Sequence, residues 1–308
     1  MDKIGVITIT FNSEPVLNSF LHCILNQTYT NFILYIIDNK STDHTIKIIE
    51  EIKDSRIKLI KNERNEGVAK ANNQGIKNAI ADGCSQLLII NNDVEFEPQL
   101  INKLIKAQAK NKSSMIAPKI MYSDNPKYIW YAGAFFSKIN GYLPLHRGFR
   151  ELDVGKFNKV EEVQYAPTCC LLIKKEVFDD IGFMDEKYFV YFDDTDFCYR
   201  VYKSTQHNLV YYPNIEFYHK VGALTNKNIG ESNAKYKSDF FLQQNIKNHI
   251  YFLRKTGSLF CYVFIIWLFL RNNIKFVFNP NIRKNFKTWV LINKSYLQGF
   301  LIKYEINQ

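Results

Sequence analysis

Along the first ninety residues apolar blocks alternate with polar ones, and the period of the apolar positions switches from block to block. Ile4–Thr10 is a β-branched run that reads as a buried strand, closed by Phe11-Asn12-Ser13. Glu14-Pro15 suits the first turn of a helix, and Val16, Leu17, Phe20, Leu21, Ile24 and Leu25 then fall on one face at helical spacing. Residues 32–37 form a second apolar strand that delivers Asp38 at its end, and a helix is predicted over 45–53. A third strand over Ile57–Lys61 precedes a polar loop, a small-residue helix beginning at Val68 and a fourth strand over Gln86–Ile90 that ends in Asn91-Asn92-Asp93. This alternation predicts an α/β fold built on a parallel, doubly wound sheet.

In such sheets ligands bind at the carboxyl ends of the strands, where Asn12, Asp38 and Asp93 all fall. No Gly-x-Gly-x-x-Gly follows the first strand, and no Gly-x-x-x-x-Gly-Lys-Ser/Thr occurs, so the dinucleotide and P-loop classes lose their signatures. Asp93, after a buried strand, is a natural oxygen ligand for Mg²⁺ or Mn²⁺ on a diphosphate; an Asp satisfying turn amides is the alternative. The stretch 113–164 is less regular. Its aromatic residues Tyr128, Trp130, Tyr131, Phe135, Phe136 and Tyr142 suit either sugar faces or a core.

Further strands are predicted over 169–173, 209–212 and 215–217, with a short helix over 176–181. Between them Asp193, Asp194 and Asp196 crowd three carboxylates into four positions after Tyr188, Phe189, Tyr191 and Phe192. Like charges so close need a proton, a cation or a hydrogen-bond network. Helix capping, by Asp196 or Asp193, explains one of them. A general base held beside a metal-bound leaving group is the sharper reading of the cluster, and it requires a metal and a substrate from the rest of the chain. His219, after an apolar strand, could supply a nitrogen ligand or a phosphate contact, or be structural.

Composition, 46% hydrophobic and 23% charged over 308 residues, is that of a globular protein. The N-terminus shows no secretory signal, which points to the cytoplasm, and the six cysteines show no Cys-x-x-Cys pair or zinc spacing, so free thiols are expected. The net charge of +10 is concentrated in residues 246–308, with ten Lys and Arg against the single acid Glu305. Within that segment residues 259–270 are twelve apolar residues, short of the ~20 that span a bilayer as a helix. Flanked by Arg254, Lys255, Arg271 and Lys275, with Trp267 and Trp289 as anchors, the stretch reads as a monotopic contact with an anionic membrane; a homodimer interface is the alternative. No nucleic-acid recognition motif accompanies the charge. The boundaries are thus a catalytic domain over 1–245 and a basic amphipathic helical region over 246–308.

The ordered motifs Thr10-Phe11-Asn12, Gln27-Thr28-Tyr29, Asp38-Asn39-x-Ser41-x-Asp43, Asn65-x-Gly67-x-Ala69, Asn72-x-x-Gly75, Asn91-Asn92-Asp93-Val94, Ala132-Gly133, His146-x-Gly148 and Phe192-Asp193-Asp194-x-Asp196 together resemble the inverting glycosyltransferases of family 2. The likeness is to their rhamnosyltransferase and galactofuranosyltransferase branch, from residue 4 to about 255. It implies the GT-A fold, a mixed sheet flanked by helices with a C-terminal helical appendage, and hexosyltransferase-type activity in bacterial polysaccharide synthesis. By the same resemblance Asp38 contacts the nucleobase, Thr10, Asn12, Asn39, Asn65, Asn72, Asn91 and Asn92 line the donor site, and Asp93 with His219 holds Mg²⁺ or Mn²⁺. Asp194 is the catalytic base, with Asp193 its neighbour. The donor implied is a dTDP- or UDP-sugar and the acceptor a saccharide or lipid-linked saccharide at the cytoplasmic face of the plasma membrane. Thr168, Gln243-Gln244 and Asp193 depart from the usual residues of the branch and bear on which donor is used. A sugar nucleotidyltransferase and a non-catalytic nucleotide-sugar-binding protein are the rival readings.

Overall fold

The computed structural model describes residues 2–222, 239–278 and 285–304. Its strands in chain order are β1 (Ile4–Thr10), β2 (Phe32–Asp38), β3 (Ile57–Lys61), β4 (Gln86–Ile90), β5 (Val94–Phe96), β6 (Met115–Pro118), β7 (Ile120–Tyr122), β8 (Ile129–Tyr131), β9 (Ala134–Ser137), β10 (Leu143–His146), β11 (Glu161–Val163), β12 (Cys170–Lys174), β13 (Leu209–Tyr212) and β14 (Phe217–His219). The helices are α1 (Glu14–Leu25), α2 (Thr45–Glu51), α3 (Val68–Ala81), α4 (Leu100–Lys110), α5 (Lys175–Ile181), α6 (Asp193–Ser204), α7 (Asp239–Thr256), α8 (Leu259–Phe278) and α9 (Phe286–Leu301).

The main sheet has the order β11-β13-β6-β12-β4-β1-β2-β3. From β3 to β4 it is parallel, as the alternation predicts. Its central strands are apolar almost throughout because helices cover both faces. Beyond β4 the sheet turns mixed, with β12 antiparallel to β4 and β6, and β11 antiparallel to β13. An apolar run announces a strand but not its direction. Tight packing fixes α3 on the sheet: a Cβ at Gly75 would lie 2.5 Å from Ile7.

A second sheet, β5-β14-β7-β8, stands at the carboxyl edge of the first. Here β14 lies two residues later than the predicted 215–217, with Ile215 buried outside the ladder. That placement puts His219 opposite Val94, beside Asp93, whose carbonyl accepts from the amide of Lys220 at 2.8 Å.

At the C-terminal side α7 runs through position 245 without a break, so the residues on either side of the expected boundary share one helix. The helix expected over 259–270 is 20 residues long and reaches Phe278, because the polar Arg271, Asn272 and Asn273 continue it instead of ending it. It is long and apolar enough to cross a membrane, so the argument from shortness does not hold. With α9 it forms an antiparallel hairpin, joined where Phe269 meets Tyr296 and where Phe276 stacks on Trp289 at 4.6 Å. α9 lies so close to α7 that a Cβ on Gly299 would come within 2.3 Å of the Lys247 carbonyl oxygen. Arg283, Lys284 and Glu305 of the basic segment lie outside the described residues.

Candidate active site

The ends of β1 and β2 build one corner. Thr10 and Asp38 are register partners, and the buried Thr10 hydroxyl donates to Asp38 Oδ1 at 2.9 Å. Ser41 adds its hydroxyl to Oδ1 at 2.5 Å and its amide to Oδ2 at 2.8 Å. Asp38 therefore holds the turn that follows it, with one lone-pair direction on Oδ2 left for another donor. Asn12 is exposed and left-handed, with φ 50°, and its Oδ1 accepts from the Thr42 amide at 2.8 Å. Asn92 is buried and ties β4 to β1, donating to Ile9 O and Ser13 Oγ, both at 2.9 Å.

A second group gathers at the start of α3. Asn39 donates to Gly67 O at 3.2 Å and accepts from Asn62 at 2.8 Å, while Asn65 Oδ1 accepts from the Gly67 amide at 3.0 Å. Asn72 is buried one turn on, its amide 3.8 Å from Met184 Sδ. Gly67 has φ 83°, and a Cβ there would meet Phe189 O at 2.5 Å; the Val68 amide donates to that same oxygen at 2.6 Å. The start of α3 thus seats the segment that leads to the three aspartates.

Asp93 and His219 come together as expected, with Oδ1 and Nε2 3.3 Å apart. That is ion-pair reach, yet no aligned hydrogen bond forms, and Asp93 Oδ1 is buried without a partner. A buried, unpartnered carboxylate oxygen beside an imidazole nitrogen fits a divalent cation, with the remaining positions left to substrate oxygens and water. Among the described residues no cluster of three or more His, Cys, Asp or Glu side chains stands ready as a closed metal cage. Around the pair, Cys169 Sγ lies 3.9 Å from both His219 nitrogens and accepts from Asn91 Nδ2 at 3.3 Å, and Trp130 meets the His219 ring edge-on at 4.7 Å. Burial works against charge on His219, Cys169 and Asp93 favour it, and the balance pushes its pKa up to about 10.

Asp193 and Asp194 open α6. The N-cap is Phe192, so none of the three aspartates stands at the cap position, although the Asp194 carboxylate accepts from the first-turn amide of Thr195. Asp196 instead pairs with Arg200 Nε at 2.9 Å and with Lys255 at 2.8 Å, a buried network that also takes in Asp185. Asp194 Oδ2 accepts from the Tyr165 hydroxyl at 2.8 Å, Oδ1 from Thr195 at 3.2 Å, and the Thr168 amide also donates to the carboxylate. Burial raises the pKa of Asp194 against those bonds; burial and then the charge of Asp194 raise that of Asp193 well above the usual range. Thr168 and Cys169 are adjacent, so one short segment touches the carboxylate at one residue and His219 at the next.

Tyr191 and Phe192, just before Asp193, have φ of 65° and 71°. Bulky left-handed residues cost about 1–3 kcal/mol each and persist only where the surroundings impose them. No local pattern in the sequence marks Tyr165 or the left-handed backbone of Tyr191 and Phe192.

The architecture defines the class. The structure is similar to the fragment 1–349 of S. aureus TarS in complex with UDP, with a TM-score of 0.57 over 97% of this chain and 81% of that one at 15% identity. This is the GT-A fold of glycosyltransferases. Residues 5–182, more than half of the chain, match the glycosyl transferase family 2, and the chain belongs to that family. The sugar nucleotidyltransferase alternative falls with that match. Two relatives carry the likeness further: the dTDP-rhamnosyl transferase RfbF of Shigella flexneri is 27% identical over 258 residues, 82% of this chain and 81% of RfbF. The low-salt glycan biosynthesis hexosyltransferase Agl10 of Haloferax volcanii is 25% identical over 209 residues, 65% of this chain and 62% of Agl10. The family match ends before Asp193, Asp194 and His219.

Proposed function

We propose that this protein transfers a hexosyl unit, with inversion, from a dTDP- or UDP-sugar to a hydroxyl of a saccharide acceptor in polysaccharide synthesis. The observation that carries the reading is Asp194, a carboxylate held by Tyr165, Thr168 and Thr195 and linked through the Thr168-Cys169 segment to the Asp93–His219 pair. Asp194 takes the acceptor proton as the acceptor oxygen bonds to the anomeric carbon, and the bond from that carbon to the diphosphate breaks, its electron pair leaving with the phosphate. A single base facing the leaving group across the sugar gives inversion.

Asp93 Oδ1 and, once it has given up its proton, His219 Nε2 would hold the cation, which would supply charge neutralisation at the departing diphosphate. An imidazole ligand favours Mn²⁺ over Mg²⁺. The nucleoside lies at the corner of Thr10, Asn12, Asp38 and Asn39, and Asn65, Asn72, Asn91 and Asn92 shape the floor of the donor site. RfbF is named for a dTDP-sugar and the TarS complex contains UDP, which supports a pyrimidine nucleotide here.

A screen of uridine, thymidine and guanosine diphosphate sugars with Mn²⁺ or Mg²⁺ tests this by thermal shift, with the anomeric configuration of the product read by NMR. The expected result is metal-dependent stabilisation by one pyrimidine nucleotide and an inverted product. Retention at the anomeric carbon, or stabilisation by no donor, would overturn the reading.

A further inference from the structure

Three observations meet on α7. The fully buried Asn248 donates through Nδ2 to two consecutive carbonyls, Val190 O and Tyr191 O, both at 2.9 Å. Those are the peptides that lead into the left-handed pair Tyr191 and Phe192, directly before Asp193 and Asp194. The next residue, His249, stacks on the Phe192 ring with centroids 5.4 Å apart, and its Nε2 lies 2.9 Å from Gly141 O.

The orientation of the Asn248 amide follows from its surroundings. Its Oδ1 is buried with no hydrogen bond, so the side chain accepts an orphaned acceptor in order to keep its one donor group on the strained segment. An alkyl side chain of the same shape would spare the orphan. Backbone strain kept in place at such expense points to a geometric requirement downstream of it. The segment is gripped from the other side as well, by the Val68 amide on Phe189 O.

We infer that Asn248 is a positioning residue of the transfer reaction: it fixes the left-handed turn at Tyr191–Phe192 and thereby aims the Asp194 carboxylate at the acceptor hydroxyl. Asn248 touches no reacting atom. It acts through the turn, and it makes α7, the element that carries the C-terminal hairpin, part of the catalytic geometry. The inference rests on the proposed role of Asp194 as base.

The test compares the full chain with Asn248→Leu, which keeps the shape and removes the donor, and Asn248→Gln, which restores a donor on a longer arm. Three quantities are read: amide hydrogen exchange over residues 188–196, the donor KM and kcat. A misaimed base loses turnover without losing donor affinity, by roughly 10²-fold for a shift near 1 Å. Asn248→Leu is therefore expected to exchange faster over 188–196 and normally over Ile4–Thr10, to keep its donor KM within about twofold, and to lose kcat on that scale. Asn248→Gln should recover part of the kcat. Wild-type exchange over 188–196 overturns the inference, and so does a loss that falls on KM with kcat intact. The exchange arm needs no turnover, so it judges the clamp even where the wild type transfers no sugar, an outcome that would count against the proposed function instead. A thermal melt shows whether Asn248→Leu folds; if it does not, Asn248→Ala, which removes the donor without adding apolar bulk, is read in its place, and there too faster exchange over 188–196 with kcat lost supports the clamp while wild-type exchange over 188–196 overturns it.

Discussion

Tyr165 is the residue on which the pH behaviour of the site turns. Its hydroxyl bond favours the charged form of Asp194 and so holds the carboxyl pKa below where burial alone would put it. With Asp194 as the proposed base, which must be ionised to act and whose pKa is raised, the acidic limb of kcat should lie above the ordinary carboxylate range. In Tyr165→Phe the limb moves to still higher pH, and kcat at its plateau falls about tenfold as the carboxylate loses a fixed partner; a pH–rate profile of both proteins checks this. Asp193 carries a stability signature. Its folded pKa is raised by burial and by Asp194, so the stability linked to its neutral form is complete below the unfolded pKa and lost as pH rises through the folded one. Asp193→Asn should therefore melt at a higher temperature than wild type at neutral pH, with the gap closing in acid. Asp93 and His219 stand out in the sequence because an apolar run precedes each, and Asp194 because three carboxylates crowd into four positions, while the roles of all three are proposals. Tyr165 and Asn248 do not stand out, since each meets its partner 29 or more residues away in the chain, where no local pattern reaches. Asp196 read as a cap for the same reason: Lys255, which claims it, is 59 residues on.

At the scale of elements, β1 to β4 were readable because each is a short apolar run bounded by polar turns, and a run of that kind has few other fates. The strands of the second sheet are three residues long, too short for a period to show, and β14 was displaced because Ile215 is as buried as the strand that follows it. The junction at 245 followed a change in charge, which composition records and backbone geometry ignores; α7 crosses it because its buried face, Gln244, Asn248, Tyr251 and Phe252, continues to serve the catalytic body. The approach of α9 to α7 at Gly299 is a packing requirement with a direct test. Gly299→Val forces the helices apart and should cost about 1–3 kcal/mol, seen as a lower melting temperature.

For the whole molecule, the excess of positive charge and the hairpin α8–α9 fall in the same segment. Leu259, Val263, Ile266, Leu270 and Phe278 of α8 and Phe286, Leu297 and Leu301 of α9 are exposed apolar residues in the basic segment. We propose that this face lies in an anionic membrane surface, where a lipid-linked acceptor would be presented to the sheet edge. Since the length of α8 also allows a span, ionic strength separates the two arrangements: a monotopic contact sediments with anionic vesicles at low salt and is released at high salt, whereas a span resists salt. A protein that stays in solution with such vesicles, or runs as a dimer through this face, would contradict the membrane proposal. The account as a whole depends on Asp194 as base. The most direct measurement is turnover and donor binding by Asp194→Asn against wild type, with the donor and metal that stabilise the protein best. The prediction is donor binding within about twofold of wild type and a kcat lower by roughly 10²–10⁴-fold. Turnover close to wild type, with donor binding intact, would remove Asp194 as the base and the proposed mechanism with it.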